Sequence, residues 1–232
     1  IIDLSVVGGI VWGLCGEELS NKFDVLVIEE AGQMSLANLM VIARCAKSIL
    51  LVGDQQQLSQ PLQAKHSWGA DLSTLEYWLS KQKVVPNDQG VFLTKSWRMH
   101  PNITSIVSKL FYEGKLNGFE KNRENNIFWA RNFISSNVNP IPINGVHFEV
   151  VSHSGNSQES QIEIKKIQEI IEYLSNSEFQ YISDGKMKKG KITKKEIIVI
   201  APYNKQVQKL QDCLGNKANI STVDKFQGRE AA

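Results

Sequence analysis

Short apolar runs alternate along the chain with amphipathic stretches of helical spacing, the pattern of an α/β fold. Phe23-Asp24-Val25-Leu26-Val27-Ile28 is almost continuously apolar and stops at Glu29-Glu30-Ala31-Gly32-Gln33; Ser48-Ile49-Leu50-Leu51-Val52 stops in the same way at Gly53-Asp54-Gln55-Gln56-Gln57-Leu58. Runs of this kind predict strands of a parallel sheet covered on both faces. The two polar clusters then lie at the carboxyl edge, where ligands sit in such sheets. Between them, Leu36, Leu39, Met40 and Ala43 follow the spacing of a helix over 34–45. Strand, helix and strand make a βαβ unit.

The same pattern extends through the chain. A strand-like run over 1–7 precedes the turn Gly8-Gly9, a short helix is predicted over 17–21 and a longer one over 72–79. Pro86-Asn87-Asp88-Gln89-Gly90 is a concentrated turn signal, which divides the chain into lobes at 1–88 and 89–232. Beyond it the expectation is a strand over 91–93 and a helix opening at Pro101 with Ile103, Ile106, Val107, Leu110 and Phe111 on its apolar face. A polar surface excursion over 117–144 and a strand over 146–151 come next. Gln158 to Leu174 is the clearest amphipathic helix, followed by a strand over 197–200, a helix over 206–214 and a last strand over 220–223.

With 232 residues, 42% of them hydrophobic and 22% charged, the chain has the composition of a globular domain with a sizeable core. A net charge of +2 does not itself argue for nucleic acid, so that case must rest on where the charge lies. Cys15, Cys45 and Cys213 are odd in number and lie among apolar neighbours. That usage suits packing residues in a reducing compartment and gives the expectation of a cytoplasmic location. No apolar run is long enough to span a membrane, and no secretory signal opens the chain. The sequence begins without methionine and stops just after a motif, so it reads as a piece of something longer.

Two carboxylates at a strand end, Glu29 and Glu30, are either solvated acids or a metal ligand beside a general base. In Gly53-Asp54-Gln55-Gln56-Gln57-Leu58 an amide either hydrogen-bonds a γ-phosphate or a water, or the run is an Asp-rich turn. Arg98, in Trp97-Arg98-Met99-His100-Pro101, offers a rigid fork of donors suited to phosphate oxygens, although capping a strand or pairing with an acid would also use it. His100 reads as structural. Ala201-Pro202-Tyr203-Asn204 lies between a strand and a helix, where Tyr203 could stack on a base or simply pack.

In their order and spacing these runs, together with Val223-Asp224-Lys225-Phe226-Gln227-Gly228-Arg229-Glu230, resemble the motifs of superfamily 1 helicases. The likeness is to the branch holding the nonsense-mediated-decay helicase and its DNA-repair relatives, and it spans nearly the whole chain. Val7-Gly8-Gly9 with Trp12-Gly13, and Gly32-Gln33-Met34-Ser35-Leu36-Ala37-Asn38-Leu39, further resemble the helicase halves of bacterial proteins that carry a RecB-like nuclease domain upstream. The resemblance implies RecA-like P-loop NTPase lobes, the later part of the first and most of the second, with ATP and Mg²⁺ as cofactors. It implies single-stranded nucleic acid as partner, DNA before RNA, with 5′ to 3′ movement and no membrane. By the same resemblance Glu29 holds magnesium through water, Glu30 is the catalytic base and Gln57 senses the γ-phosphate. Arg98 reaches that phosphate from the second lobe. Gly53, Asp54, Gly228 and Glu230 contact the nucleotide, Glu230 at its ribose, and Tyr203 and Thr222 lie toward the nucleic acid.

Two departures bear on activity. The family's magnesium position is usually aspartate, and Glu29 is one methylene longer for an ion that demands near-ideal octahedral geometry. The phosphate loop is also missing. Gly185-Lys186-Met187-Lys188-Lys189-Gly190-Lys191 begins G-x-x-x-x-G-K-[ST], but Ile192 fills the hydroxyl position and a strand follows where a helix is required. With Lys194 and Lys195 this run is read as a solvated, lysine-rich loop that either stays in water or touches a nucleic-acid backbone. The family's last arginine motif is absent as well. The expectation is a helicase segment that is inactive alone, and the alternative is a degenerate nucleic-acid-binding module without hydrolysis.

Overall fold

The computed structural model describes residues 6–58, 67–128, 141–183 and 185–226. The chain forms two compact units, 1–92 and 93–232. Gly228 and Glu230 lie outside the described residues.

In the first unit a short helix α1 (Val11–Leu14) and a 3₁₀ turn (Glu17–Leu19) precede strand β1 (Phe23–Ile28). Helix α2 (Leu36–Ile42) follows, capped by the Ser35 hydroxyl accepting from the Asn38 N–H, and leads through a 3₁₀ turn to strand β2 (Ala46–Leu51). β1 and β2 pair in parallel, Val25 opposite Ser48 and Ile28 opposite Leu51. Helix α3 (Thr74–Leu79) starts in a reciprocal capping box between Ser73 and Glu76. Leu26, Ile28, Leu39, Ile42, Leu75 and Leu79 form the core of this unit.

Among the described residues, only one face of this strand pair is covered. Val25 and Val27 on β1 are 52% and 57% exposed and Leu50 on β2 is 53% exposed, which corrects the expectation of strands buried on both faces. A period-2 strand sends alternate side chains to opposite sides. The core takes Leu26 and Ile28, so the apolar residues between them face out. A continuous apolar run signals two faces that favour burial without specifying what covers the second.

The second unit repeats the parallel pairing twice. Strand β3 (Lys95–Ser96), helix α4 (Pro101–Phe111) and strand β4 (Asn117–Gly118) make one βαβ unit. Strand β8 (Ile198–Ile200), helix α6 (Asn204–Leu214) and strand β9 (Asn219–Ser221) make another, ahead of the short helix α7 (Val223–Phe226). Between them lie strand β5 (Asn126–Phe128), helix α5 (Gln161–Ser175), strand β6 (Glu178–Ser183) and strand β7 (Lys186–Lys191), the three strands pairing antiparallel in the order β5-β6-β7. Ile164 and Ile171 of α5, Phe179, Ile192, Ile197, Leu210, Leu214 and Ile220 form its core. Buried Gln206 ties α6 to the start of α5, its carbonyl accepting from the Ser160 N–H at 2.8 Å and its amide donating to Glu163 at 3.3 Å. The protein is thus a mixed α/β fold built on parallel strand pairs.

Several expectations change. The segments 91–93 and 146–151 join no ladder, because apolar alternation states what a strand could bury and not which backbone it pairs with. The stretch 117–144 is not wholly irregular: it holds β4, an asparagine and a glycine with no apolar signal, and β5, whose apolar Ile127-Phe128 is too short a run to announce a strand, while 129–140 lie outside the described residues. The lysine-rich run is strand β7 rather than a loop. Cys45 is buried, and burial pushes its thiol pKa up, but Cys213 is exposed and does not pack. No described helix is long and apolar enough to cross a membrane.

Candidate functional site

In the first unit the polar turns that follow β1 and β2 interlock. The Val52 N–H donates to the Ile28 carbonyl at 2.8 Å and the Ala31 N–H donates to the Val52 carbonyl at 2.9 Å, which carries the pairing past the strand ends. A Cβ on Gly32 would lie 2.5 Å from the Asp54 carbonyl oxygen, and one on Gly53 would lie 2.8 Å from the Ala31 nitrogen. Both glycines are therefore required by the close passage of two backbones. Glu29, Glu30, Gly53, Asp54 and Gln57 are brought to one edge by this contact.

Glu30 sits at φ +54°, one of five described non-glycine residues with positive φ, and lies two residues beyond the end of β1. Side chains in this region are uncommon and concentrate where a site constrains the backbone. The Gln33 amide donates to the Glu30 carboxylate at 3.2 Å. Asp54 accepts from the Gln56 N–H at 3.0 Å and from the Gln57 amide at 3.1 Å, so Gln57 is turned back onto its own loop. The loop is anchored by the Gln55 amide, which donates to the Lys83 carbonyl at 2.8 Å and the Gln82 carbonyl at 3.3 Å.

No group of three or more histidine, cysteine, aspartate or glutamate side chains that could cage a metal occurs among the described residues. Magnesium with a nucleotide needs only one or two carboxylates, the remaining positions going to water and phosphate. Exposed Glu29 and Glu30 at a glycine-lined edge fit that donor set.

In the second unit Arg98 occupies the exposed loop between β3 and α4. The amide of buried Asn122 donates to the Trp97 carbonyl at 2.8 Å and to the Met99 carbonyl at 3.4 Å, holding the backbone on both sides of the arginine. Lys95 lies over the rings of Trp97 and Phe119, which pack 4.5 Å apart between centroids. Sequence reasoning missed Asn122 and Gln55. Their partners are carbonyls, which every residue has, so no residue pairing announces the contact.

His100 is buried and caps α4, its Nδ1 accepting from the Asn102 N–H at 3.0 Å. It is structural in this sense. Burial, the largest influence, holds its pKa below the ordinary 6.5. Since the native ring binds protons less readily than the unfolded one, its stabilising contribution is full above that ordinary value. It is lost as pH falls from there through the depressed folded value. The second unit should unfold at progressively lower temperature as pH falls below the ordinary imidazole value of 6.5. His100→Asn, which keeps a cap acceptor that does not titrate, should flatten that slope in thermal melts followed by circular dichroism. An equal slope in the variant would remove His100 as its source.

Tyr203 is exposed immediately before α6, and Thr222 follows β9. A polar cleft of about 430 Å³ opens near the latter, lined by Lys194, Gln211, Asn216, Ser221 and Lys225 among others, and it includes neither residue. The run 185–191, as a strand that opens no helix, presents no row of helix amides to a phosphate.

A family described as "AAA domain" matches residues 71–232. The chain belongs to this AAA-domain family. Several proteins similar to it over most of the chain are helicases by name. The ATP-dependent helicase NAM7 of Saccharomyces cerevisiae is 28% identical over 94% of this chain and 22% of that protein. The DNA replication ATP-dependent helicase/nuclease DNA2 of Gallus gallus is 27% identical over 91% of the chain and 19% of that protein. The 5′-3′ DNA helicase ZGRF1 of Mus musculus is 30% identical over 97% of the chain and 12% of that protein. The AAA-domain chain thus spans between about a tenth and a quarter of the length of these relatives. Their similarity covers most of the chain and so extends ahead of residue 71, where the family match begins.

Proposed function

We propose that the chain is part of a superfamily 1 helicase whose complete protein couples ATP hydrolysis to movement along single-stranded nucleic acid, DNA before RNA and 5′ to 3′. The observation that carries this reading is the interlocked edge of β1 and β2, where two acids and a Gly-Asp-Gln-Gln-Gln turn share one backbone contact. Its motif order and its helicase relatives support it.

Glu29 is the residue that would hold Mg²⁺ through water, and the ion would supply charge neutralisation at the nucleotide phosphates. Glu30 accepts a proton from the attacking water, and the Gln33 amide bonded to its carboxylate orients it. Gly53 and Asp54 shape the turn along the nucleotide, and Gln57 exchanges its bond to Asp54 for one to the γ-phosphate. Arg98 offers its guanidinium to that phosphate, while Gly228 and Glu230 bind toward the nucleoside. Tyr203 and Thr222 contact the nucleic acid, Tyr203 by stacking. The bacterial resemblance supports a RecB-like nuclease domain upstream, and the free thiols support a cytoplasmic location.

The second reading, a binding module without chemistry, is favoured by Glu29 standing where the family carries aspartate. Steady-state ATP hydrolysis with and without single-stranded DNA separates the two. The full-length protein should show DNA-stimulated turnover and the 232-residue chain none. Binding without turnover in the full-length protein selects the module, and robust turnover by the isolated chain overturns the assignment of an incomplete site.

A further inference from the structure

The lysines that resemble no helicase motif stand on a built surface. β6 and β7 form an antiparallel hairpin with Phe179 opposite Gly190, Gln180 opposite Lys189 and Glu178 opposite Lys191. Phe128 of β5 lies opposite Glu178. Residues opposite one another share a face, and residues two apart along a strand do too. One face therefore carries Phe179 and Ile127 into the core of the unit. The other carries Phe128, Glu178, Gln180, Met187, Lys189 and Lys191 outward, with Phe128 44% exposed and the Lys189 ammonium 6.0 Å from its ring centroid. Lys186 and Lys188, of the opposite parity, lie along the same strand nearer the turn.

The geometry points to this outer hairpin face as a binding surface for single-stranded nucleic acid, a contact separate from Tyr203 and Thr222. The inference rests on the reading of nucleic acid as the partner. Lys189 and Lys191 are two residues apart on one strand, about 7 Å at the antiparallel rise. That is close to the separation of successive phosphates on an extended single strand. Phe128 beside them offers a ring on which a base can stack, the combination used for strand binding without sequence preference. Among the described residues no carboxylate forms an ion pair with Lys189 or Lys191. Lys205 and Lys217 of the same unit, by contrast, are paired with Glu159 and Glu172. An acidic polypeptide would satisfy the lysines but leave Phe128 without a stacking partner.

The test is fluorescence anisotropy of a labelled oligo-dT with the 232-residue chain across a salt series. Lys189→Ala/Lys191→Ala should weaken binding roughly tenfold and lower the salt slope by about 0.7 for each phosphate that is no longer neutralised. Phe128→Leu should weaken binding by a similar factor without changing the slope, since it removes a stacking ring and no charge. Lys189→Arg/Lys191→Arg should retain affinity, and Lys205→Ala/Lys217→Ala should leave affinity and slope unchanged. Equal affinity and slope in Lys189→Ala/Lys191→Ala, or no binding by the parent chain, overturns the inference. So does displacement of the oligonucleotide by poly-glutamate as readily as by unlabelled oligo-dT. Loss of affinity in the variant with normal ATP turnover in full-length Glu30→Gln would sustain the hairpin and sink the assigned catalytic base instead.

Discussion

Glu30→Gln in the full-length protein is expected to lower steady-state ATP turnover by about 10²- to 10⁴-fold, the range that a positioned general base contributes, with nucleotide binding retained. The substitution is suited to the question because little else changes. Glutamine keeps an oxygen that can accept from the Gln33 amide, and it is no bulkier at φ +54° than the glutamate it replaces. What it removes is the capacity to take a proton. Turnover measured by phosphate release, beside equilibrium binding of a fluorescent nucleotide, gives the two numbers needed. Loss of both in parallel would make Glu30 a structural residue of the turn, and unchanged turnover would place the base elsewhere.

Gly32→Ala should destabilise the first unit by about 1–3 kcal/mol, the usual result of forcing a methyl into filled space. The new Cβ would lie 2.5 Å from the Asp54 carbonyl oxygen, and the obstacle is backbone rather than a side chain that can turn aside. Either the turn after β2 moves, displacing Asp54 and Gln57, or the turn after β1 moves with Glu30. Turnover in the full-length protein should fall with stability in both cases. Gly13→Ala is the matched control: its Cβ meets nothing within 4 Å, and it lies within helix α1. Urea unfolding of both variants tests the contact, and equal midpoints would show that the turns do not interlock.

The parts legible in the sequence are those where an apolar pattern and a polar stop coincide. β1 and β2, with their acid and amide ends, were evident because a buried run cannot continue through Glu29-Glu30 or Gly53-Asp54. α5 and α6 were evident from their spacing, Ile164 and Ile171 repeating at one heptad and Val207, Leu210 and Leu214 following the helical stripe. β7 was not, since a strand with lysines facing both ways and its pairing made through backbone has the composition of a solvated loop. β4, an asparagine and a glycine, is defined by its partner β3 alone. In the site, carboxylates and arginine declare themselves by chemistry. The groups that hold them do not: Gln55 and Asn122 act on carbonyls 27 and 25 residues away.

The amide of Asn122 gives Arg98 a property of its own. A loop carrying a long cation ordinarily surrenders backbone freedom when an anion arrives, and that loss subtracts from the affinity. Here the carbonyls on either side of the arginine are fastened from behind by a single buried side chain. The ordering of this stretch of backbone is completed when the polypeptide folds, so it is not charged to the encounter.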